Sequence, residues 1–304
     1  MASIFQEFIR PDALPRPLKV RKIEPRDCFT ALAEGFEDVL TMPTYPAFVG
    51  LFYALAGVTL VSLSSFANAL QLAFPLAAGF ALVGPFVAVG LYEMSRRRDL
   101  GLTATWRDAF AVRRSSALPS ILALGLVLLA IFVAWTEAAE LLYVHIYDPR
   151  PPVGAIPFVL DVLTSGRGWL LIVLGASIGF CLAAIALCIS VVSFPLMLDR
   201  KVGLIPAVAA SLRVSRENPV AVALWGLLVA LALVVGSLPL FVGLAVVMPV
   251  LSHSTWRFYR RAIERDPWVA RPIEEERTAG DSAERVNGRA EPSSRVARRR
   301  QRAA

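Results

Sequence analysis

Three ionisable residues stand at the ends of long apolar segments, and together they could bind a cation or relay a proton. Glu93, Asp199 and His253 each close an apolar run, and each is followed by an arginine within four positions. If the three side chains face one another, two carboxylates can hold a cation beside an imidazole that exchanges a proton near neutral pH. The spacing alone also allows all three to be structural.

In the structural alternative, each of these residues pairs with a neighbour. Glu93 and Arg97 lie four residues apart, which is the spacing of an ion pair on one face of a helix. Asp199 can pair with a neighbouring arginine, and His253 can donate to a carbonyl that a proline kink leaves free. We therefore define a candidate polar cluster without assigning a catalytic role to any member: Glu93, Arg97, Asp199, Arg200, His253 and Tyr259.

Other residues of catalytic or metal-binding type carry weaker signals. Glu137 and Glu140 follow Trp135 closely. An interfacial tryptophan marks the end of a membrane span, where glutamates are common and need no functional role. The three cysteines lack the paired spacing of a zinc site, and we expect them to be buried small apolar residues. The chain contains no P-loop, Rossmann glycine signature, HExxH or GxSxG motif. We therefore expect no metal and no cofactor, and no spacing points to an enzyme reaction.

The elements that must position these residues are membrane spans. No charged residue occurs in the 54 positions from Val39 to Tyr92, nor in Ser115–Thr136, Gly168–Leu198 or Asn218–Trp256. About 20 apolar residues cross a bilayer, so every run is long enough. The composition agrees, with 56% hydrophobic and 18% charged residues and a mean hydropathy of +0.60.

Two of these runs are too long for a single crossing. A helix of 54 residues would measure about 80 Å, whereas the hydrocarbon core is about 30 Å thick. We place turns at 67–71 and 236–239, which predicts an all-α membrane protein with six spans arranged as three hairpins. The predicted spans cover approximately 46–67, 72–93, 117–140, 168–198, 219–236 and 239–256.

The lysine and arginine residues orient these spans. The segments on one side hold 29 of them, whereas those on the other hold only Arg150 and Arg167. Because the basic loops of membrane proteins lie in the cytoplasm, we expect both termini to be cytoplasmic. Residues 1–45 then form an N-terminal cytoplasmic segment. Residues 257–304 form a cytoplasmic basic tail that we expect to be largely disordered after residue 267.

Charge also bears on the partners. The tail ends in an arginine-rich stretch, Arg295–Arg302, which could touch anionic lipid. The same charge attracts nucleic acid, but no nucleic-acid-binding motif supports that interpretation. The bilayer is therefore the expected partner, and the outer loop at 145–167 leaves a contact with another membrane protein open.

Each predicted hairpin follows a short amphipathic stretch: Phe29–Pro43, Trp106–Pro119 and Val208–Pro219. Apolar residues recur in these stretches at three- and four-residue steps, as in an interfacial helix. A proline near the cytoplasmic end of each even span would kink the helix there: Pro85, Pro195 and Pro249. We predict three copies of one unit, although any three hairpins would share basic loops and prolines.

The fourth span contains a GxxxG pair, Gly175 and Gly179. Such pairs let two helices approach closely. We interpret this one as a packing site within the chain, and dimerisation is the alternative.

Three motifs occur in order along the chain: Gly79–Arg97, Phe194–Arg200 followed by Asn218-Pro219, and Pro249–Arg260. Together they resemble the bacterial predicted integral membrane proteins of the domain-of-unknown-function 2189 family, over roughly residues 20 to 265. Two positions depart from the family pattern, since Ser252 stands in place of Gly and Arg257 in place of His. The resemblance implies a bacterial inner-membrane protein and implies no activity.

These observations predict a non-catalytic scaffold, assembly or accessory factor of the inner membrane. The predicted spans have no charged residue at their centres, whereas ion-coupled transporters usually have one. The alternative is a small transporter or channel for an unknown solute, in which the proline-containing repeats surround the polar cluster.

Overall fold

The structure, a computed structural model, describes residues 18–41, 55, 57–59, 62, 70–72, 75–76, 88–105, 107–147, 154–238 and 241–265. This part of the chain is all-α, as predicted. Most of the first predicted hairpin, including Pro85, lies outside the described residues, and so does the basic tail from residue 266 onward.

Helices form most of the described chain. Their bounds are α1 Pro25–Thr41, α2 Val89–Asp99, α3 Leu118–Ile146, α4 Ala155–Thr164, α5 Gly166–Ser190, α6 Ser193–Arg200, α7 Leu204–Glu217, α8 Pro219–Ser237 and α9 Leu244–Ala262. Two 3₁₀ segments add to them: Leu70–Leu72 and Asp108–Arg114.

The chain divides into two compact units. The larger one contains the described residues up to Arg98 together with Thr103–Glu264. The smaller one contains Asp99–Leu102 and Arg265, and within it the Arg265 guanidinium lies 3.3 Å from the Asp99 carboxylate.

Proline and capping residues fix where several helices begin and end. Pro119 and Pro219 occupy the first turns of α3 and α8, where a missing N–H costs no helical hydrogen bond. Ser165 caps α5, because its hydroxyl accepts a hydrogen bond from the Gly168 N–H at 3.0 Å. Helix α6 ends at Arg200, because the next residue, Lys201, adopts a left-handed conformation with φ of 52°.

Three helical stretches of the described chain are long and apolar enough to cross a membrane: Leu118–Ile146, Gly166–Arg200 and Pro219–Ser237. Large apolar side chains on them are exposed, such as Leu126 on α3, Phe180 on α5 and Leu231 on α8. Apolar side chains on the outside of a membrane helix contact lipid and need no protein partner. The arrangement of six spans as hairpins stays a prediction.

Two segments differ from the sequence-based expectation. The predicted fourth span is interrupted at Val191-Val192, where α5 ends, and α6 restarts at Ser193. The Ser193 hydroxyl lies within 3.1 Å of two carbonyls, those of Ile189 and Ala207, so it ties the restart to α7. The second amphipathic stretch forms the 3₁₀ helix Asp108–Arg114 instead of an α-helix. Such short 3₁₀ pieces are common as connectors.

The buried core lies where the helix ends meet. On α8 and α9, the rings of Trp225 and Phe258 stack with their centroids 4.8 Å apart. The N-terminal segment joins the same region, because Val20 forms an antiparallel bridge with Ile263 and the Arg21 N–H donates to the Ala262 carbonyl at 2.9 Å. The two ends of the larger unit are therefore fastened to each other.

Candidate functional site

The predicted cluster residues lie on α2, α6 and the C-terminal half of α9, which are among the most buried parts of the described chain. Residues Leu91–Ser95 of α2 and Ser193–Leu198 of α6 are buried throughout, and so are Leu251–Ser254 of α9. This packing differs from that of α3, α5 and α8, whose apolar side chains are largely exposed. The candidate site is therefore held by packed helix ends.

Glu93 forms local ion pairs with the two arginines that follow it. Its carboxylate accepts hydrogen bonds from Arg96 at 2.7 and 2.8 Å and from Arg97 at 3.0 Å. The bond to Glu93 raises the pKa of the Arg96 guanidinium, and the nearby charge of Asp199 adds to this effect. Arg97 also lies 2.8 Å from the Asp108 carboxylate, so it links α2 to the 3₁₀ helix.

Asp199 connects α6 to α9. It accepts a hydrogen bond from the Tyr259 hydroxyl at 2.7 Å and one from Arg260 at 3.3 Å. Burial, and then the adjacent Asp199 charge, raises the pKa of Tyr259 well above its ordinary value, so the phenol stays a proton donor to Asp199. Arg200 donates to the backbone carbonyl of Glu264, beyond the end of α9.

His253 is fully buried and connects α9 to α2. Its Nδ1 atom lies 2.6 Å from the Ser95 hydroxyl, two positions after Glu93. Its Nε2 atom has no hydrogen-bond partner within the part of the chain that the structure describes. If the Ser95 hydroxyl donates to Nδ1, the free Nε2 carries the proton; if Ser95 accepts, Nε2 is a free acceptor.

The structure thus connects the three helix ends without joining the three predicted residues directly. Among the described residues, no hydrogen bond links Glu93, Asp199 and His253 to one another. The connections run through Ser95 to His253 and through Tyr259 to Asp199, neighbours that sequence reasoning named only in part. We call these polar residues at the helix ends the polar layer: Glu93, Ser95, Asp199, His253 and Tyr259, together with Asp38, which is described next.

Asp38 on α1 is a member of the polar layer that the sequence reasoning missed. Its carboxylate, 1% exposed, accepts two hydrogen bonds from Arg257 at 2.8 Å and lies 2.8 Å from the Arg98 guanidinium. One turn away, Glu34 accepts from Arg261 at 2.7 and 2.9 Å. The bonded Arg261 guanidinium lowers the pKa of the Glu34 carboxyl.

A usable signal for Asp38 was present in the sequence. The buried residues of α1 recur at three- and four-residue steps and include this acid: Cys28, Ala31, Gly35 and Asp38. A carboxylate on the buried face of an amphipathic helix requires a partner charge. The identity of that partner, 219 positions away, was not visible.

The helix-kink and packing residues have separate environments. Pro195 is the third residue of α6, whereas Pro249 lies inside α9. A Cβ atom added to Gly179 would come within 2.8 Å of the Trp135 ring, whereas one added to Gly175 would meet no heavy atom within 4 Å. Of the GxxxG pair, Gly179 therefore packs against α3, and Gly175 lies in open space.

Gln71, in the predicted turn of the first hairpin, lies beside the C-terminal half of α3. Gln71 donates to the Glu140 carboxylate at 3.2 Å, and the Trp135 indole donates to the Pro75 carbonyl at 2.9 Å. Glu137 is exposed. The expectation of buried cysteines was right for Cys28 and wrong for Cys181, which is exposed, while Cys188 is half-buried. Both lie on α5, whose outer surface the chain leaves largely uncovered.

No group of three or more histidine, cysteine, aspartate or glutamate residues in the described chain could hold a metal ion. Each carboxylate of the polar layer binds an arginine, which is the cation available to it in the fold.

Comparison with known families bears on this layer. Residues 73–199 match the model of a family described as predicted integral membrane protein, domain of unknown function 2189. Over this segment the chain is similar to that family. The match confirms the resemblance. It includes the motif that carries Glu93 and the second motif only as far as Asp199. The third motif, with His253 and Tyr259, lies beyond it. No curated protein and no solved structure matches the chain.

Proposed function

We propose that this chain is a six-span, non-catalytic protein of the bacterial inner membrane, with both termini in the cytoplasm, that acts as a scaffold or assembly factor. The observation that carries the proposal is the pairing of two buried carboxylates, Asp38 and Glu93, and of the half-buried Asp199. Asp38, Glu93 and Asp199 are each bound by arginine at 2.7 to 3.3 Å. Carboxylates that are paired with arginines hold helices together and are not free to bind a solute.

A threefold internal repeat supports a rigid scaffold and is part of the proposal. When Pro43 is aligned with Pro219, α1 and α7 correspond with a shift of 176 residues. Three of the four buried positions on each helix then agree. Ala31, Gly35 and Asp38 of α1 match Ala207, Ser211 and Val214 of α7.

The packing order of the interfacial helices also favours a closed repeat. The 3₁₀ helix contributes Ala109 to a cluster with Leu91 and Met94 of α2, and α7 packs against α6. Helix α1 packs against α9, the last helix of the described chain. The 3₁₀ helix and α7 therefore each lie against the end of the predicted even span that precedes them. Helix α1 lies against the end of the last predicted span, α9.

Photo-cross-linking in intact cells tests the scaffold role. A photoreactive phenylalanine analogue is placed at an exposed position on α3, α5 or α8, namely Leu126, Phe180 or Leu231, and at buried Leu128 as the matched control. We expect one protein adduct, reproducible between preparations, at one or more of the exposed positions and none at Leu128. The same protein should co-purify in a fixed ratio without cross-linking. Lipid adducts alone at every exposed position would contradict the proposal.

A small transporter or channel is the second candidate, favoured by His253. Its buried Nε2 atom has no partner among the described residues, and its ring is fully buried. Vesicles that contain the purified protein and a pH-sensitive dye report proton flux, and K⁺ efflux reports cation flux. A transporter would exceed empty vesicles, and His253→Ala would abolish the flux while the protein still accumulates in the membrane. Loss of accumulation would instead favour a structural histidine.

A further inference from the structure

Two interfacial helices, α1 and α7, leave an apolar stripe exposed beside the face that they bury. On α1 the stripe is Phe29, Ala33, Phe36 and Leu40; on α7 it is Ile205, Ala209 and Leu212. The steps of four and three residues place each set on one side of its helix. Phe36 is 48% exposed and Leu212 is 40% exposed, and these two positions correspond in the repeat alignment.

The charges beside the two stripes have opposite signs. Exposed Arg213 and Arg216 follow Leu212 on α7, whereas exposed Glu37 follows Phe36 on α1. On α1, Asp38 is buried and Glu34 is bound by Arg261, so exposed Glu37 is balanced by exposed Arg26. Helix α7 instead exposes two arginines and one glutamate. Two helices of the same geometry therefore present different electrostatic surfaces.

The position of α7 identifies what covers its stripe. Only Asn218 separates α7 from α8, a candidate membrane span that begins at Pro219. Val220, in the first turn of that span, is largely exposed. A helix that leads directly into a span lies at the depth of the lipid headgroups, where an apolar stripe enters the acyl boundary and flanking arginines meet phosphates.

We propose that α7 binds anionic lipid headgroups of the leaflet from which α8 starts. Ile205, Ala209 and Leu212 enter the interface, and Arg213 and Arg216 bind the headgroup phosphates. Helix α1 lies on the same surface, but its exposed Arg26 and Glu37 balance each other and give it no preference for anionic lipid. The proposal depends on membrane embedding and not on the scaffold role.

The test compares equivalent positions on the two helices in the full-length protein. The native cysteines are removed by Cys28→Ala, Cys181→Ser and Cys188→Ala, and a fluorophore is attached at a new cysteine from Leu212→Cys or Phe36→Cys. Each protein is reconstituted in vesicles that contain phosphatidylglycerol and phosphatidylcholine, and only one of the two lipids carries brominated acyl chains. The ratio of quenching by brominated phosphatidylglycerol to quenching by brominated phosphatidylcholine measures the local lipid preference.

At the Leu212 position we expect brominated phosphatidylglycerol to quench at least about twofold more strongly, because one basic residue near an anionic surface favours contact by up to about fivefold. At the Phe36 position the ratio should be close to one. The pair Arg213→Gln and Arg216→Gln should bring the Leu212 ratio to about one, and so should about 0.5 M salt, which screens exposed charges.

Arg213→Lys with Arg216→Lys is the matched variant that keeps the charge, and it should keep the preference. Quenching at Leu212 that is absent with both brominated lipids would overturn the proposal, because the stripe would then lie outside the bilayer. A ratio at Leu212 equal to that at Phe36, or unchanged in the glutamine variant, would overturn it as well. Size-exclusion chromatography of each reconstituted variant separates these results from misfolding.

Discussion

The membrane-spanning helices and the polar layer at their ends are stabilised by different forces. On α5, Phe180 is 74% exposed, and only a small share of that apolar helix is buried inside the protein. In the polar layer, Asp38, Glu93 and His253 are at most 4% exposed. The lipid solvates the first region, whereas the second must satisfy its own hydrogen bonds.

This difference predicts where substitutions will matter. A span that faces lipid tolerates many apolar sequences, because the acyl chains adapt to its surface. A buried carboxylate tolerates very few changes, because loss of its partner leaves a charge in a low-dielectric environment. Substitutions in the polar layer should therefore cost much more stability than substitutions on the exposed faces of the spans.

The largest effect is expected for Arg257→Ala. This change removes two of the hydrogen bonds to the buried Asp38 carboxylate and leaves Arg98 as its charged partner among the described residues. Breaking a buried ion pair costs about 3 kcal/mol or more. Detergent-denaturation curves of the purified protein measure the free energy of unfolding.

The matched control for that substitution is Arg216→Ala, at an exposed arginine of α7. Exposed substitutions of this kind change stability by about 0.5 kcal/mol or less. If the two variants unfold at the same detergent concentration, the ion pair at Asp38 does not stabilise the layer and the comparison between the two regions fails.

A pair of glycines gives the next largest contrast. A Cβ atom at Gly35 would lie 2.5 Å from the Ser254 backbone nitrogen, so Gly35→Ala must push α1 away from α9. Overpacking of this kind costs about 1 to 3 kcal/mol. Gly175→Ala on α5 meets no neighbour within 4 Å and should be neutral or slightly stabilising, because alanine favours helix.

Thermal aggregation midpoints of the two alanine variants, measured in the same detergent, check this contrast. Gly179→Ala, where the Trp135 ring can move, should fall between them. A larger loss for Gly175→Ala than for Gly35→Ala would indicate that α5 packs against another protein at Gly175 and not against lipid.

Much of the membrane architecture could be predicted from the sequence, because a charge-free run needs only its own composition to be recognised. The stretches 118–146, 166–200 and 219–237 fall where the apolar runs predicted spans. The pairing of Glu93 with Arg97 also follows from spacing along one helix, and the structure contains it at 3.0 Å. Local rules of this kind need no knowledge of the fold.

The long-range part of the polar layer could not be predicted in this way. Ser95 and His253 are 158 positions apart, and Asp38 and Arg257 are 219 apart. Neither periodicity nor charge counting identifies a partner at such a distance. Several arginines lie near helix ends, and nothing in the sequence distinguishes the one that binds Asp38. The Ser193 contact with α7, just after the break at Val191-Val192, is likewise a tertiary contact that the apolar run does not indicate.

Asn218→Ala tests how the N-terminal segment is held. The Asn218 side chain accepts from the Ile23 N–H at 2.8 Å and donates to the Arg21 carbonyl at 3.1 Å. Its removal leaves a buried N–H without its partner and should cost about 1 to 3 kcal/mol. Proteolysis should cut between residues 18 and 24 faster in this variant than in Ser215→Ala, which loses one hydrogen bond within α7.

The smallest expected effect is a pH dependence at Glu34, which joins α1 to α9. The bond from Arg261 lowers the pKa of Glu34 below its ordinary value of 4.5. A carboxyl with a lowered pKa stabilises the fold fully above its unfolded pKa, and this stabilisation is lost as pH falls through the folded pKa. The difference in unfolding free energy between the wild type and Glu34→Gln should therefore be largest near pH 7 and should shrink below about pH 4.5. The effect should be modest, because the Glu34 side chain is 37% exposed and solvent screens the pair. A difference that stays constant from pH 7 to pH 3.5, or grows toward acid, would mean that Arg261 does not hold Glu34 in the folded protein and that α1 is bound to the polar layer through Asp38 and Gly35 instead.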